Sequence, residues 1–286
     1  MPADTNEAGM CRPLVDFAAV DDLLWAQLTA AVAVAAAATL DAPRAVRIKA
    51  DQSPVTEADE RSEALLLQAL SRLMPGVDVV SEEMAVRPSR LGDIFILIDP
   101  LDGTREFIRG SGEYTVNLAV IKGREPVAGI VAAPAAGIIY RGRVRRGAEQ
   151  LAMSPQGDVL GVPRPISVRT APPDGAVAVV SRSHLDCATV ALLDRVQIDN
   201  RVPCGSALKF CRIAEGAADI YPRLAPTREW DVAAGHALVV AAGGAVTLPG
   251  GSALLYGDAA NDFRVPAFIA WGDQASAPDT AIAARK

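Results

Sequence analysis

The sequence predicts a mixed α/β protein arranged in layers. Hydrophobic residues make up 50% of the 286 residues, which is ample material for a buried core. Residues 94–98 form a continuous apolar run of strand length, as expected for a strand buried on both faces of a sheet. In the second half of the chain, strand-like and helix-like segments alternate. Together these features predict sheets covered by helices.

The first half of the chain predicts two helices followed by strands. A helix is expected over residues 15–40, because the sequence Asp41-Ala-Pro43 ends its apolar pattern. A second helix begins after Thr56, a predicted N-cap with Asp59 at the third helical position, and Pro75-Gly76 ends it. Strands are predicted over residues 77–81, 94–98, 115–122, 127–132 and 138–143.

The second half of the chain follows a predicted internal boundary at residues 154–165, which contain three prolines. Strands are predicted over residues 176–181 and 218–221, and helices over 188–195, 206–215 and 231–242. The sequence therefore predicts an N-terminal α+β subdomain of residues 14–153 and a C-terminal α/β subdomain of residues 165–272. Residues 1–13 and 275–286 are expected to be flexible tails.

Charge and cysteine usage exclude several classes of function. A net charge of −6 argues against a nucleic-acid polymer as partner, although a small anionic substrate fits if a bound cation reverses the local field. The four cysteines are scattered, with no CxxC pair, so we expect reduced thiols in a cytoplasmic protein rather than disulfides or zinc. Residues 28–40 are apolar but too short to span a membrane, and we interpret them as a buried amphipathic helix. No transmembrane segment is predicted, while peripheral membrane association and a homodimer stay open.

Two carboxylates flank a turn directly after the apolar strand, in the sequence DPLDGT at residues 99–104. The strand delivers Asp99 at its carboxyl end, where α/β sheets place ligands. Pro100 forces a turn, which lets Asp102 and the Leu101 carbonyl approach the same point. Carboxylates packed this closely repel each other unless they share a proton or a cation, and such hard oxygen ligands suit Mg²⁺. An Asp-rich surface turn is the alternative.

Three further acids lie at the ends of predicted elements. Glu82 follows a short strand, whereas Asp59 and Asp231 lie in the first turns of helices, where a negative charge is favourable. Each has an ordinary explanation as a first-turn acid or a solvated loop acid. The spacing of these residues does not show that they converge.

Four motifs, in order, resemble the inositol monophosphatase superfamily. They are SPVTEAD at residues 53–59, SEE at 81–83, DPLDGT at 99–104 and WDVAAG at 230–235, and the resemblance covers roughly residues 15–272. It implies the αβαβα sandwich shared by inositol monophosphatases and fructose-1,6-bisphosphatases, with two to three Mg²⁺ ions. The implied metal ligands are Glu82, Asp99, the Leu101 carbonyl, Asp102 and Asp231, with Asp59 at an additional, weaker site.

Further details are similar to the bacterial 3′(2′),5′-bisphosphate nucleotidases of the CysQ type. These are the continuation of the metal motif as REFI at residues 105–108, GSALKFC at 205–211 and DIYPR at 219–223. The implied reaction is hydrolysis of 3′-phosphoadenosine 5′-phosphate to AMP and phosphate, in support of sulfate assimilation. Ala207, Ala225 and the pair Gly257-Asp258 depart from that group's usual pattern and leave the preference for base or ribose open.

This resemblance implies roles for individual residues. The expected catalytic residues are Glu82, Thr104 and Asp59, the first two orienting and deprotonating the attacking water. His236 is expected to be structural, and the role of His184 is open. The second phosphate of a bisphosphate needs charge-assisted donors, for which Lys209 is the first candidate and Arg223 the second. The full set of expected substrate-binding residues is Asp102, Gly103, Thr104, Ser206, Lys209, Arg223 and Asp231.

Two alternatives remain beside this hypothesis. The same metal site fits a phosphatase for inositol 1-phosphate or a sugar phosphate. A protein of another class, a metal- and nucleotide-binding regulator without turnover, would bind the bisphosphate and release no phosphate.

Overall fold

The computed structural model of the protein describes residues 21–49, 53–172 and 175–274. The predicted tails at 1–13 and 275–286, and the predicted helical residues 15–20, lie outside these ranges. The α-helices of the described residues are α1 (Asp22–Leu40), α2 (Glu57–Leu73), α3 (Thr104–Arg109), α4 (Cys187–Arg195), α5 (Leu208–Ala214) and α6 (Glu229–Ala241).

The strands form two main sheets and two small pairs. The seven-stranded sheet has sequential order and contains β3 (Asp78–Ser81), β4 (Ile94–Asp102), β5 (Thr115–Lys122), β6 (Glu125–Ala133), β7 (Ile138–Arg143), β8 (Gly147–Met153) and β9 (Val159–Ile166). The five-stranded sheet has the order β11-β10-β12-β16-β14, with β10 (Val177–Ser181), β11 (Asn200–Cys204), β12 (Ile220–Arg223), β14 (Ala245–Thr247) and β16 (Phe268–Trp271). The small pairs are β1 (Val46–Ile48) with β2 (Pro54–Thr56), and β13 (Thr227–Arg228) with β15 (Arg264–Val265).

The elements stack as the predicted αβαβα sandwich. Helices α1 and α2 cover one face of the seven-stranded sheet, and α5 and α6 lie between its other face and the five-stranded sheet. Helix α4 packs on the outer face of the smaller sheet. Strand β4 contributes to the cores on both faces of its sheet. Phe95 and Leu97 pack into the core between the two main sheets, whereas Ile96 and Ile98 pack into the core beneath α1 and α2. This alternation is the two-residue periodicity of a strand buried on both faces.

The proline-containing segment 154–165 is not an irregular linker. Most of it forms β9, which pairs antiparallel with β8 and completes the seven-stranded sheet. Because β9 is the edge strand of that sheet, Pro163 and Pro165 can occupy it without removing hydrogen bonds from a central ladder. The division into subdomains 14–153 and 165–272 stays a prediction, and α6 contributes to a core shared by both sheets.

Helix α1 is buried as predicted but is not amphipathic in the usual sense. Its inner side contains Trp25, Leu28 and Val32, whereas its outer side exposes the apolar residues Leu23 and Val34. By length and composition this helix could cross a membrane, and 50% of its most apolar window is buried within the protein. A helix that covers the core of a layered protein meets the same criterion.

Close packing of α6 positions the inner layer. A Cβ atom on Gly129 of β6 would lie 2.2 Å from the Ala234 carbonyl oxygen of α6, so only glycine permits this approach of helix and sheet. The N-terminus of α6 is thereby brought to the carboxyl ends of β3 and β4.

Candidate active site

Three acids from distant parts of the sequence meet at one edge of the seven-stranded sheet. Glu82 directly follows β3, Asp99 lies in β4, and Asp231 is the third residue of α6. One carboxylate oxygen from each lies within 4.8 Å of the other two. The structure thus brings together acids whose convergence the spacing of the sequence left open.

The electrostatics of this cluster favour a bound cation. Asp99 is fully buried, and its Oδ2 atom has no hydrogen-bond partner. Burial, together with the Glu82, Asp102 and Asp231 carboxylates, holds the pKa of Asp99 well above its usual range. Burial and Asp231 likewise raise the pKa of Glu82 to about 8. A hard divalent cation would satisfy the unpartnered oxygen and remove the repulsion, so these residues fit a metal site.

The sequence DPLDGT forms a bulge at the end of β4. Asp99 pairs with Asn117 and Asp102 with Thr115, so an additional residue is accommodated between them on β4. Pro100, which has no N–H to donate, lies in this bulge. The bulge turns the Leu101 carbonyl oxygen toward Thr104 Oγ1, at 3.3 Å.

Asp102 lies beside the cluster but outside its tight group of oxygens. Its Oδ2 atom accepts a hydrogen bond from Ser206 Oγ at 2.8 Å, and Ser206 Oγ also contacts Thr115 Oγ1 at 2.5 Å. Burial and Asp231 raise the pKa of Asp102 to about 6, against the opposing effects of Lys209 and of the Ser206 hydrogen bond. Asp102 therefore connects the metal motif to the loop before α5.

Asp59 and Thr104 form a second polar pair next to the cluster. Asp59 completes the predicted capping box of α2, since its Oδ2 atom accepts hydrogen bonds from Thr56 N at 2.8 Å and Thr56 Oγ1 at 2.6 Å. Its Oδ1 atom accepts a hydrogen bond from Thr104 Oγ1 at 3.2 Å. Burial raises the pKa of Asp59 although these hydrogen bonds oppose the shift. This carboxylate is positioned to receive a proton through the threonine hydroxyl.

Asp231 is fixed by its own helix start. Its Oδ2 atom accepts a hydrogen bond from Arg228 N at 3.0 Å and another from Thr227 Oγ1. The carboxylate thus caps the first turn of α6 while facing Glu82 and Asp99. The interpretation of Asp231 as a first-turn acid is therefore confirmed, and its role as a metal ligand stays a prediction.

The acids open onto a cavity of about 230 Å³ whose other wall is basic. Lys209 is 3% exposed, and its Nζ atom donates to the Cys204 carbonyl oxygen at 3.4 Å and to that of Ser206. Arg223 has a buried Nε atom without a hydrogen-bond partner. The predicted site residues that line this cavity are Glu82, Asp102, Gly103, Thr104, Ser206, Lys209, Arg223 and Asp231.

Gly103 allows the two walls to approach each other. It has a φ of 90° in the left-handed region, and a Cβ atom there would lie 3.3 Å from the Ser206 Cβ and 3.2 Å from the Glu113 carbonyl oxygen. Both the backbone conformation and the narrow space therefore favour glycine.

The two histidines have different environments. His184 lines the cavity, and its Nε2 atom lies 3.1 Å from Arg105 Nη1. Burial, with Arg223 and Arg105 nearby, lowers the pKa of His184, which keeps the ring neutral. His236 is buried in α6 with Nδ1 2.9 Å from Tyr256 Oη, as expected for a structural residue.

Lys49 is a site residue that sequence analysis missed. Its Nζ atom lies 2.5 Å from Glu83 Oε1 and 3.5 Å from Glu82 Oε1, so an ammonium group faces a predicted metal ligand. Burial lowers the pKa of Lys49, but Glu82 and Glu83 outweigh this effect and the pKa lies above its usual value. The sequence offered no clear signal, because Lys49 follows Arg44 and Arg47 and reads as one of three cations in a polar segment before SPVTEAD at residues 53–59.

Comparison with known proteins extends the similarity beyond these motifs. A family model described as "Inositol monophosphatase family" matches residues 20–278. The 3′(2′),5′-bisphosphate nucleotidase CysQ of Salmonella typhimurium is 43% identical over 197 residues, which cover 68% of this chain and 76% of that protein. The protein of the same name from Escherichia coli K12 is 42% identical over 205 residues, 70% and 78% of the two chains. The crystal structure of CysQ from Bacteroides thetaiotaomicron matches with a TM-score of 0.74 at 32% identity, covering 87% of this chain and 98% of that one.

Proposed function

Because the chain belongs to the inositol monophosphatase family, we propose that it is a Mg²⁺-dependent phosphomonoesterase that converts 3′-phosphoadenosine 5′-phosphate to AMP and phosphate. The named activity of its bacterial relatives supports this substrate. The observation that carries the proposal is the position of the Glu82, Asp99 and Asp231 oxygens, within 4.8 Å of one another beside a cavity lined by Lys209 and Arg223. The proposal places the reaction in the cytoplasm, in keeping with the free thiols of the described cysteines.

The carboxylates would hold two to three Mg²⁺ ions. Glu82, Asp99 and Asp231 fit a first position, because their oxygens already lie together and one of them lacks any partner. Asp102 and the Leu101 carbonyl would extend this set. Asp59 is connected to it through Thr104, whose Oγ1 atom contacts both the Leu101 carbonyl oxygen and Asp59 Oδ1. When bound, Mg²⁺ neutralises the carboxylates, polarises the scissile phosphate and acidifies a nucleophilic water.

The protein itself supplies a route for the proton of the attacking water. Thr104 Oγ1 can accept that proton while donating its own to Asp59 Oδ1, at 3.2 Å. Burial raises the pKa of Asp59 and makes it a better proton acceptor than an exposed aspartate. Glu82, whose carboxylate belongs to the cluster and lines the same cavity as Thr104, would orient the water.

The basic wall would bind the phosphate that does not react. Lys209 has three N–H donors, of which two are directed at backbone carbonyls, so one remains for a ligand. Arg223 lines the same cavity and adds a second positive charge close to Asp102 and Asp231. Charge-assisted hydrogen bonds to a remote phosphate can be used to position the scissile one.

The test is phosphate release from a substrate panel, with Mg²⁺ and with EDTA. We expect 3′-phosphoadenosine 5′-phosphate to be hydrolysed well above inositol 1-phosphate and fructose 1,6-bisphosphate, and EDTA to abolish release. A higher kcat/KM for either of the latter would favour the alternative phosphatase. Binding of the bisphosphate without phosphate release would favour the non-catalytic regulator.

A further inference from the structure

Arg87 connects the backbone at Glu82 to Trp230, the residue before Asp231 in α6. It lies in the loop between β3 and β4, five residues after Glu82. Its Nε atom donates to the Ser81 carbonyl oxygen at 3.0 Å, and its Nη2 atom donates to the Glu82 carbonyl oxygen. One guanidinium therefore binds two consecutive carbonyls at the end of β3.

The same guanidinium stacks on the residue before Asp231. The Arg87 Cζ atom lies 4.6 Å from the centroid of the Trp230 ring, and Trp230 is 3% exposed. A second guanidinium, from Arg228, lies 5.8 Å from that ring and forms a 2.7 Å ion pair with Asp262. Arg87 lies 3.5 Å from the other oxygen of Asp262, so both arginines share one carboxylate.

These contacts span the gap between two acids that repel each other. Glu82 directly follows β3 and Asp231 lies in α6, so no sheet ladder holds the two acids at a fixed distance. Their like charges, together with that of Asp99, favour separation of the two elements when no cation is bound. Arg87 ties the carbonyls at one element to the indole at the other, and so opposes that separation.

We propose that Arg87 is a positioning residue that holds the Glu82 and Asp231 carboxylates at metal-binding distance, and that it sets the affinity for Mg²⁺ rather than the rate of the chemical step. This inference rests on the metal site of the proposed function. The planar guanidinium is suited to the role because it donates to two carbonyls in its plane while its face stacks on an indole. An ammonium group cannot satisfy both sets of contacts.

The sign of the effect separates positioning from simple electrostatics. A positive charge near a cation site repels Mg²⁺, so removal of that charge alone would tighten Mg²⁺ binding. Loss of a group that positions the ligands weakens binding instead, typically by about 10–100-fold for residues that support metal ligands. Substitution of Arg87 should therefore weaken binding although it removes a repulsive charge.

The experiment compares Arg87→Met and Arg87→Lys with wild type and with Arg90→Met, an exposed arginine of the same loop. Mg²⁺ affinity is measured by isothermal titration without substrate, and kcat for 3′-phosphoadenosine 5′-phosphate is measured across a Mg²⁺ series. Both Arg87 variants should raise the Mg²⁺ dissociation constant and the half-activating concentration about tenfold or more. At saturating Mg²⁺ they should keep kcat within about threefold of wild type, and Arg90→Met should change neither quantity.

Three results would overturn the proposal: an unchanged or tighter Mg²⁺ affinity in Arg87→Met, a wild-type affinity in Arg87→Lys, or a loss of kcat that saturating Mg²⁺ does not restore. If Arg87→Met does not fold, Arg87→Lys decides the question, because it keeps the charge and the aliphatic packing. A wild-type protein that binds Mg²⁺ but hydrolyses nothing would refute the proposed function, while the titration would still test Arg87.

Discussion

Replacement of Asp99 by asparagine should stabilise the metal-free protein and abolish its activity. The substitution keeps the size of a side chain that is fully buried and removes a charge from a cluster of like charges. Two unit charges 4.8 Å apart repel each other by about 3.5 kcal/mol at an effective dielectric constant of about 20. Asp99 faces two such partners, Glu82 and Asp231, in the tight group.

Proton uptake limits how much of this repulsion the folded protein bears. Because burial and Asp231 raise the pKa of Glu82 to about 8, the metal-free cluster is partly protonated at neutral pH. We therefore expect Asp99→Asn to raise the free energy of unfolding in EDTA by about 1–3 kcal/mol, less than the full Coulomb figure. In Mg²⁺ at about 1,000 times Kd the order should invert, since wild type then gains about 4.1 kcal/mol, which exceeds the advantage expected for the variant in EDTA, and the variant loses most of that gain.

The assay is urea denaturation in EDTA and in Mg²⁺, combined with phosphate release. Asp199→Asn, an exposed aspartate outside the site, is the matched control and should be neutral in both buffers. Turnover of Asp99→Asn should fall by at least about a hundredfold, or about 2.7 kcal/mol in activation free energy. The reasoning is wrong if the variant is less stable than wild type in EDTA, or if it keeps more than about a tenth of wild-type kcat at saturating Mg²⁺.

Three other predictions concern pH, the Asp102 contact and the basic wall. In EDTA the free energy of unfolding, measured by urea titration, should fall as pH rises from about 5 to about 8. The folded state holds protons that the unfolded state has already lost, because the pKa of Glu82 is raised to about 8 and that of Asp102 to about 6. Saturating Mg²⁺ should flatten this pH dependence. Ser206→Ala removes the 2.8 Å hydrogen bond to Asp102, and kcat/KM should fall by roughly ten- to a hundredfold for every substrate tested. Arg223→Met should lower kcat/KM for 3′-phosphoadenosine 5′-phosphate by roughly one to two orders of magnitude and change hydrolysis of inositol 1-phosphate far less, with Lys209→Ala expected to act in the same direction.

Each of these predictions has a control and an opposing result. Unfolding free energy that is constant or rises over that pH range in EDTA would contradict the raised carboxyl pKa values. Ser252→Ala, at an exposed serine, controls for hydroxyl removal, and wild-type kinetics of Ser206→Ala would show that Asp102 needs no such support. Arg195→Met, at an exposed arginine of α4, controls for loss of a charge. Equal losses on both substrates would assign Arg223 to the shared site rather than to the second phosphate.

Local signals made several elements predictable. The capping box of Thr56 and Asp59 is formed by residues three positions apart, and α2 begins where the box predicts. The apolar run at residues 94–98 forms the first five residues of β4. A strand buried on both faces is recognisable from its own continuous apolar sequence. The αβαβα arrangement followed from the motifs' resemblance to a family rather than from these local signals.

Other elements depended on position within the fold. The prolines of residues 154–165 predicted an interruption, but the segment forms β9 at the edge of the sheet, where a missing N–H does not break a ladder. Whether a strand lies at an edge or in the centre is decided by the assembled sheet. The contact of Lys49 with Glu82 was not predicted either. Lys49 follows β1 and Glu82 follows β3, and only the folded chain brings these two strand ends together.

The sequence by itself determined which carboxylates were available and on which elements they lie. Asp99 and Asp102 come directly after an apolar run, and Asp231 lies in the first turn of a helix, because strand burial and helix capping are encoded by neighbouring residues. Only the tertiary structure decided that Glu82, Asp99 and Asp231 meet within 4.8 Å while Asp102 turns toward Ser206. Distances of this kind depend on how closely α6 packs against the sheet, and that approach is set by contacts between residues far apart in the chain.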